Sequence, residues 1–140
     1  MTPEEMKETA RRWILGIFDN ADYGLIQEMT TEKYAFEMPR PGVIPKDTLP
    51  DLIEGFRASI PDLHNVIHHQ LVDGDTVVTR GTTHGTNTGP LGEIPASGNP
   101  ITSDWVIFTR FEGDKIAEDW EIWDEMGVMM QMGAVSGGDS

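Results

Sequence analysis

The sequence predicts an α+β fold in which helices come first and a run of antiparallel strands follows. Two observations carry this. Apolar residues recur at three- and four-residue spacing in the N-terminal part, and from Leu63 onward they alternate. Asp73-Gly74-Asp75 and Glu112-Gly113-Asp114 punctuate the alternating part as hairpin turns. Helices that precede hairpin-linked strands pack on one face of a curved sheet.

The elements follow in order. Thr2 caps a first helix, Pro3 suits its first position, and Glu4 and Glu5 suit the positive end of its dipole. Met6, Ala10, Trp13, Ile14, Ile17 and Phe18 draw its apolar stripe. Asp19 to Asp22 interrupts it, and a short second helix covers Tyr23 to Met29. Tyr34 to Met38 alternates as a short strand before Pro39, Pro41, Gly42 and Pro45 force a loop. Thr48 to Ser59 is a third helix that buries Leu49, Leu52, Ile53 and Phe56. Strands are expected at His64 to Val72, Thr76 to Thr86, Ile101 to Phe111 and Lys115 to Trp123. Gly89 to Pro100 reads as a long loop, and Asp124 to Met132 as a terminal helix. Residues 1–133 form the expected domain, with 134–140 as a flexible tail.

Composition narrows the function. The 140 residues carry 10 Lys and Arg against 24 Asp and Glu, a formal net charge of −14. Such a surface repels phosphate backbones and anionic membranes. It also disfavours strongly anionic substrates. Cysteine is absent, which removes disulfides, thiol catalysis and Cys-ligated metal sites. The charged stretch Met1 to Glu8 lacks the apolar core of a signal peptide, so a cytoplasmic location is expected.

Longer motifs then come together. They are Asp75 to Gly81, Gly85-Thr86-Asn87-Thr88-Gly89, Ile94-Pro95-Ala96-Ser97-Gly98, Phe108 to Trp120 and Asp124 to Gly133. In order and spacing this set resembles the SnoaL-like polyketide cyclase group of the nuclear transport factor 2-like superfamily. The resemblance spans roughly residues 60–133. It implies a cone-shaped curved antiparallel sheet whose N-terminal helices enclose an apolar cavity, and a homodimer. It also implies aldol-type cyclase chemistry without metal or organic cofactor, on a small apolar carbonyl compound. A carboxylate at the position of Asp124 would be the general acid/base. Three positions depart from the family pattern: Asn87, Asp119 and Glu37 stand where His is common.

Each candidate has a plain structural alternative. Strand alternation puts Ile116, Glu118, Trp120, Ile122 and Asp124 on one face, read as the inward one, and Asp119, Glu121 and Trp123 outside. Asp124 is then either a desolvated proton carrier or the N-cap of the last helix. Glu37 is a second acid/base candidate, or a solvent-facing residue near a loop. His84 is a proton carrier or a structural histidine. Arg80 binds an enolate or forms an ion pair, and Asn87 serves an oxyanion or a turn. His64, His68 and His69 lack a completing carboxylate, so no metal site is expected, and His69 is the one aimed at a pocket. Trp13, Phe18, Trp105, Trp120 and Met129 are core or substrate-facing. A hydrolase, dehydratase or isomerase on the same fold, or a non-catalytic ligand-binding module, is the competing reading.

Overall fold

A computed structural model describes residues 1–134 of the chain. The expected tail at 134–140 lies, beyond its first residue, outside the described residues. Helix α1 spans Pro3–Ile14 and is closed by a capping box: Glu5 N–H donates to Thr2 Oγ1 (3.1 Å) and Thr2 N–H to Glu5 Oε1 (2.7 Å). Its buried stripe is Met6, Ala10, Trp13 and Ile14. The helix then widens into a π turn over Leu15–Asp19. Arg57 holds that turn by donating to the carbonyls of Phe18 and Asp19 at 2.9 and 2.8 Å. Helix α2 is Gly24–Met29, and α3 is Leu49–Ser59, preceded by a 3-10 turn at Lys46–Thr48.

Six strands form one sheet: β1 Thr30–Glu37, β2 Val43–Pro45, β3 His64–Asp73, β4 Thr76–Thr86, β5 Pro100–Glu112 and β6 Lys115–Trp123. Their order is β2-β1-β6-β5-β4-β3, so both edges stay open and the sheet curves without closing. Gly74 and Gly113 take φ of 61° and 62° in the two tight hairpin turns, a conformation that favours glycine. Helix α4, Glu125–Gln131, ends the described chain. Among the described residues no helix is long and apolar enough to cross a membrane.

Two features differ from expectation. The sheet is mixed, because β1 runs parallel to β6 with Phe36 opposite Asp119. No hairpin links these strands, so nothing forces them antiparallel. The three-residue β2 lies within the proline-rich segment and pairs with β1.

Two bulges reset the faces. In β6, Ile116 pairs with Phe111 but Glu118 pairs with Arg110, leaving Ala117 as an extra residue. Ile116 and Ala117 are both buried, and from there Asp119 and Glu121 point inward while Glu118, Trp120 and Ile122 point out. The expected inner and outer faces of this strand are therefore reversed beyond Ala117. In β3, Ile67 pairs with Gly81 and His69 with Arg80, so His68 is the extra residue. His68 and His69 both end on the exposed side. The expectation that His69 faces a pocket is corrected for the same reason.

The main core joins α1, the π turn and α3 to the concave side of the sheet through Trp13, Ile17, Phe36, Ile53, Ile107 and Ile116. Trp105 lies directly over Gly81. A Cβ at position 81 would sit 2.6 Å from Trp105 Cη2 and 2.7 Å from the Val66 carbonyl oxygen. Gly81→Ala is therefore expected to cost about 1–3 kcal/mol through overpacking. Urea unfolding of the variant checks this; an unchanged midpoint would show that Trp105 moves aside freely.

Candidate active site

Between the concave sheet face and the helices lies an apolar cavity of about 80 Å³. Phe18, Phe56, Ile60, Trp105, Ile107 and Val128 form much of its wall. Phe56 and Trp123 meet edge to face with ring centres 5.4 Å apart. At about 10–15 Å³ of such space per water, the cavity has room for roughly five to eight waters. That is the scale of a one- or two-ring organic molecule.

One carboxyl faces this cavity. Glu121 lies across from Ile107, next to Trp123, and is 9% exposed. Burial pushes its pKa up, and the nearby Asp119 adds to this, taking it to about 8. Among the described residues no hydrogen bond offsets that shift. Glu121 thus carries its proton at neutral pH in an apolar site, near the range where proton exchange works in both directions.

Asp119, two residues earlier on the same face, is built differently. Trp13 Nε1 and Tyr34 Oη donate to its Oδ2 at 2.7 and 2.6 Å, and Thr109 Oγ1 donates to Oδ1 at 2.6 Å. Burial raises its pKa, and the three hydrogen bonds oppose that rise. The same burial, together with the Asp119 charge, raises the Tyr34 hydroxyl well above the usual tyrosine range. Asp119 is a fully coordinated pillar beneath Glu121 and does not line the cavity.

A second polar cluster borders the cavity. Asn65 Oδ1 accepts from Trp105 Nε1 at 2.9 Å and from Thr83 Oγ1 at 2.5 Å. Asn65 in turn donates its backbone and side-chain N–H groups to Asp19, at 2.9 and 2.5 Å. The π turn therefore places Asp19, Asp19 orients Asn65, and Asn65 fixes the Trp105 ring.

The residues expected from sequence fall mostly elsewhere. Phe18 and Trp105 line the cavity. Trp13 is buried core and serves Asp119. Asp124 is exposed and caps α4, accepting from Gly127 N–H at 2.9 Å. Glu37 is exposed opposite Trp120 on the outer side, and Trp120 is itself 37% exposed. His84 stacks on His64 across β3 and β4, with ring centres 5.4 Å apart, and Arg80 borders an outer groove. Asn87 is fully buried and donates to the Ser59 and Gly89 carbonyls while accepting from Ser97, which makes it a loop staple. Met129 is half-buried on α4, away from the cavity wall. Among the described residues, no three His, Asp or Glu side chains gather as a metal site.

Glu121 is the functional candidate that strand counting places outside. The available signal was the adjacent apolar pair Ile116-Ala117, which breaks strict alternation and marks a bulge.

A curved sheet capped by helices over an apolar cavity, with a buried carboxyl on the cavity wall, defines an open α+β cone. The family model for SnoaL-like polyketide cyclases matches residues 8–132, and the chain belongs to that family. No curated protein matches the chain. Among solved structures, a candidate polyketide cyclase from Acidithiobacillus ferrooxidans superposes with a TM-score of 0.81 at 21% identity, covering 94% of this chain and 96% of its own. AclR of Streptomyces galilaeus, a candidate hydroxylase, gives 0.84 at 18% identity, covering 96% and 99%. A protein of ketosteroid isomerase-like fold from Catenulispora acidiphila gives 0.73 at 16% identity, covering 90% and 92%. These likenesses establish the shared fold; the different labels on it leave the chemistry to the site.

The Asp119 pillar has a measurable consequence. Asp119→Ala strands three buried donors, each costing on the order of 1 kcal/mol or more. The variant should lose about 3 kcal/mol or more of stability, read by denaturant unfolding. Tyr34→Phe, which removes one donor and leaves two, should lose about 1 kcal/mol.

Proposed function

We propose that the protein is a cofactor-independent proton-transfer enzyme of the cyclase type, with Glu121 as its acid/base and a small apolar carbonyl compound as substrate. The observation that carries this reading is the Glu121 carboxyl, buried on the cavity wall with its pKa raised to about 8. Ionised Glu121 removes a proton from the carbon beside a carbonyl. The enolate attacks a second carbonyl of the same molecule, and the new alkoxide takes the proton back from Glu121. One carboxyl thus serves both half-steps, with no net change in protonation. The aromatic wall of Phe18, Phe56, Trp105 and Trp123 keeps water from the enolate. Family membership supports the cyclase kind of chemistry. Glu121 takes the role that the sequence reading gave to Asp124, which is committed to capping α4.

A ketone of the right size tests this directly. The protein should accelerate solvent deuterium exchange at the α-carbons of 2-tetralone, followed by NMR. The rate should rise with pH and level off above about 8, as Glu121 ionises. Glu121→Gln should remove the acceleration, whereas Asp124→Asn should keep it. Exchange that survives in Glu121→Gln would overturn the assignment.

The same group sets a pH dependence of stability. Its folded pKa of about 8 lies above the ordinary 4.5, so between these values the folded state holds a proton that the unfolded chain releases. Stability attributable to Glu121 is therefore present below about 4.5 and falls as pH rises towards 8, with a limiting slope near ~1.4 kcal/mol per pH unit. Glu121→Gln should flatten this slope in thermal melts between pH 5 and pH 8.

The outer face of the sheet supports a homodimer. Val66, Leu71, Phe108, Trp120 and Ile122 are all exposed there, and Phe108 packs edge to face on Trp120 at 5.8 Å. A two-fold axis would lay these apolar side chains against their copies in a second chain. Trp120→Asp should yield a monomer in sedimentation velocity while the wild-type chain sediments as a dimer.

A further inference from the structure

Ser103 is the buried side chain whose position the proton-transfer chemistry does not explain. It lies on β5, is 6% exposed, and is one of the residues around the cavity, its Oγ buried at the wall. Among the described residues that Oγ has no hydrogen-bond partner. Thr83, directly across on β4, donates to Asn65, and Asn65 Oδ1 already accepts from both Thr83 and Trp105. Buried hydroxyls are ordinarily paired, and an unpaired one lowers stability. A serine kept at this cost, where alanine would fit, points to a partner that arrives with the ligand.

Its place relative to Glu121 gives the ligand a length. Glu121 sits across from Ile107, four residues along β5 from Ser103, which is about 13 Å of strand. Trp105 and Trp123 pair across the strands between these two groups. The cavity is therefore apolar and aromatic through its middle and polar at each end.

We infer that Ser103 is a second polar anchor of the ligand site, so that the cavity selects flat, elongated molecules with an oxygen function at each end. One oxygen lies at Glu121 and the other at Ser103. This rests on the cavity being the substrate site, as proposed above, but not on Glu121 acting as a base. A one-ring ketone with no distant oxygen, or a plain hydrocarbon, would leave Ser103 unpaired and bind less well. A hydroxy ketone of two fused rings satisfies both ends within the available space.

The test compares 2-tetralone with 6-hydroxy-2-tetralone, which differ only by the distant hydroxyl. Affinities are read from quenching of the tryptophan fluorescence, since Trp105 and Trp123 line the cavity. In the wild-type protein the hydroxylated ketone should bind about 3- to 10-fold more tightly. In Ser103→Ala that advantage should vanish, while the affinity for 2-tetralone changes by less than about twofold. Because the substitution removes an unpaired buried hydroxyl, Ser103→Ala should also melt about 2–5 °C higher. Equal affinities in the wild type, equal loss of both ligands in the variant, or a lower melting temperature would each overturn the assignment. No saturable binding of either ketone would overturn it together with the cavity reading. If the hydroxyl preference tracks Ser103 yet deuterium exchange is not catalysed, the anchor stands and only the role of Glu121 fails.

Discussion

A carboxylate can leave water only where other donors replace the water it loses. Asp119 meets that condition with three donors, drawn from α1 (Trp13), β1 (Tyr34) and β5 (Thr109). These elements have no local reason to meet, since Trp13 and Asp119 are 106 residues apart in the chain. The buried acid makes their meeting specific: an apolar residue at 119 would pack, but it would leave an indole N–H, a phenol and a hydroxyl unsatisfied. Trp13 and Tyr34 also meet edge to face at 5.7 Å, so the polar triad is enclosed by aromatic packing. The charge held beneath the cavity floor is one of the two causes that raise the pKa of Glu121. One side chain thus links the packing of the helices to the electrostatics of the site.

That link depends on one extra residue. With Ala117 bulged, Asp119 and Glu121 face in, and Trp120 and Ile122 face out. Without the bulge the same sequence would bury Trp120 and Ile122 and expose both acids, a solution that hydrophobicity alone prefers. This is why strand counting was misled. The type and rough extent of β3 to β6 were legible because alternation and the two glycine turns are local signals. The capping box of α1 and the buried stripe that follows it were legible on the same grounds. A bulge is not local in that sense. It is decided by which register lets the partner strand bury Phe111, Thr109 and Ile107, and by whether buried acids find donors 85 and 106 residues away. The parallel pairing of β1 with β6 was hidden for the same reason, since it follows from packing between distant segments.

The candidate site was accordingly legible in part. Phe18 and Trp105, read as core or substrate-facing, line the cavity, whereas Trp120, read the same way, is turned outward by the bulge. Asp124 was flagged from the family pattern, and its alternative as a helix cap was visible in the residues themselves. His69 was misplaced by one step of a two-residue period, the error that a bulged register produces, whereas Glu37 lies in the solvent-facing alternative given for it. Ser103 offered no signal at all. A serine between alternating apolar residues reads as a tolerated small residue until the structure shows its hydroxyl buried without a partner among the described residues.

The distribution of donors explains why two polar groups at the cavity are left unpaired. Trp13, Tyr34 and Thr109 are committed to Asp119, and Trp105 and Thr83 are committed to Asn65. Asn65 is itself held by Asp19 from the π turn. Among the described residues no donor reaches Glu121, which therefore keeps its own proton, and Ser103 Oγ has no partner. A stray donor beside Glu121 would stabilise its ionised form and pull its pKa back towards 4.5, leaving too weak a base for an α-proton. The same satisfied networks that make the surrounding structure rigid are thus what leave these two groups unmet. In a chain with 24 acidic residues, what sets Glu121 apart is its burial without a donor among the described residues to hold its charge in place.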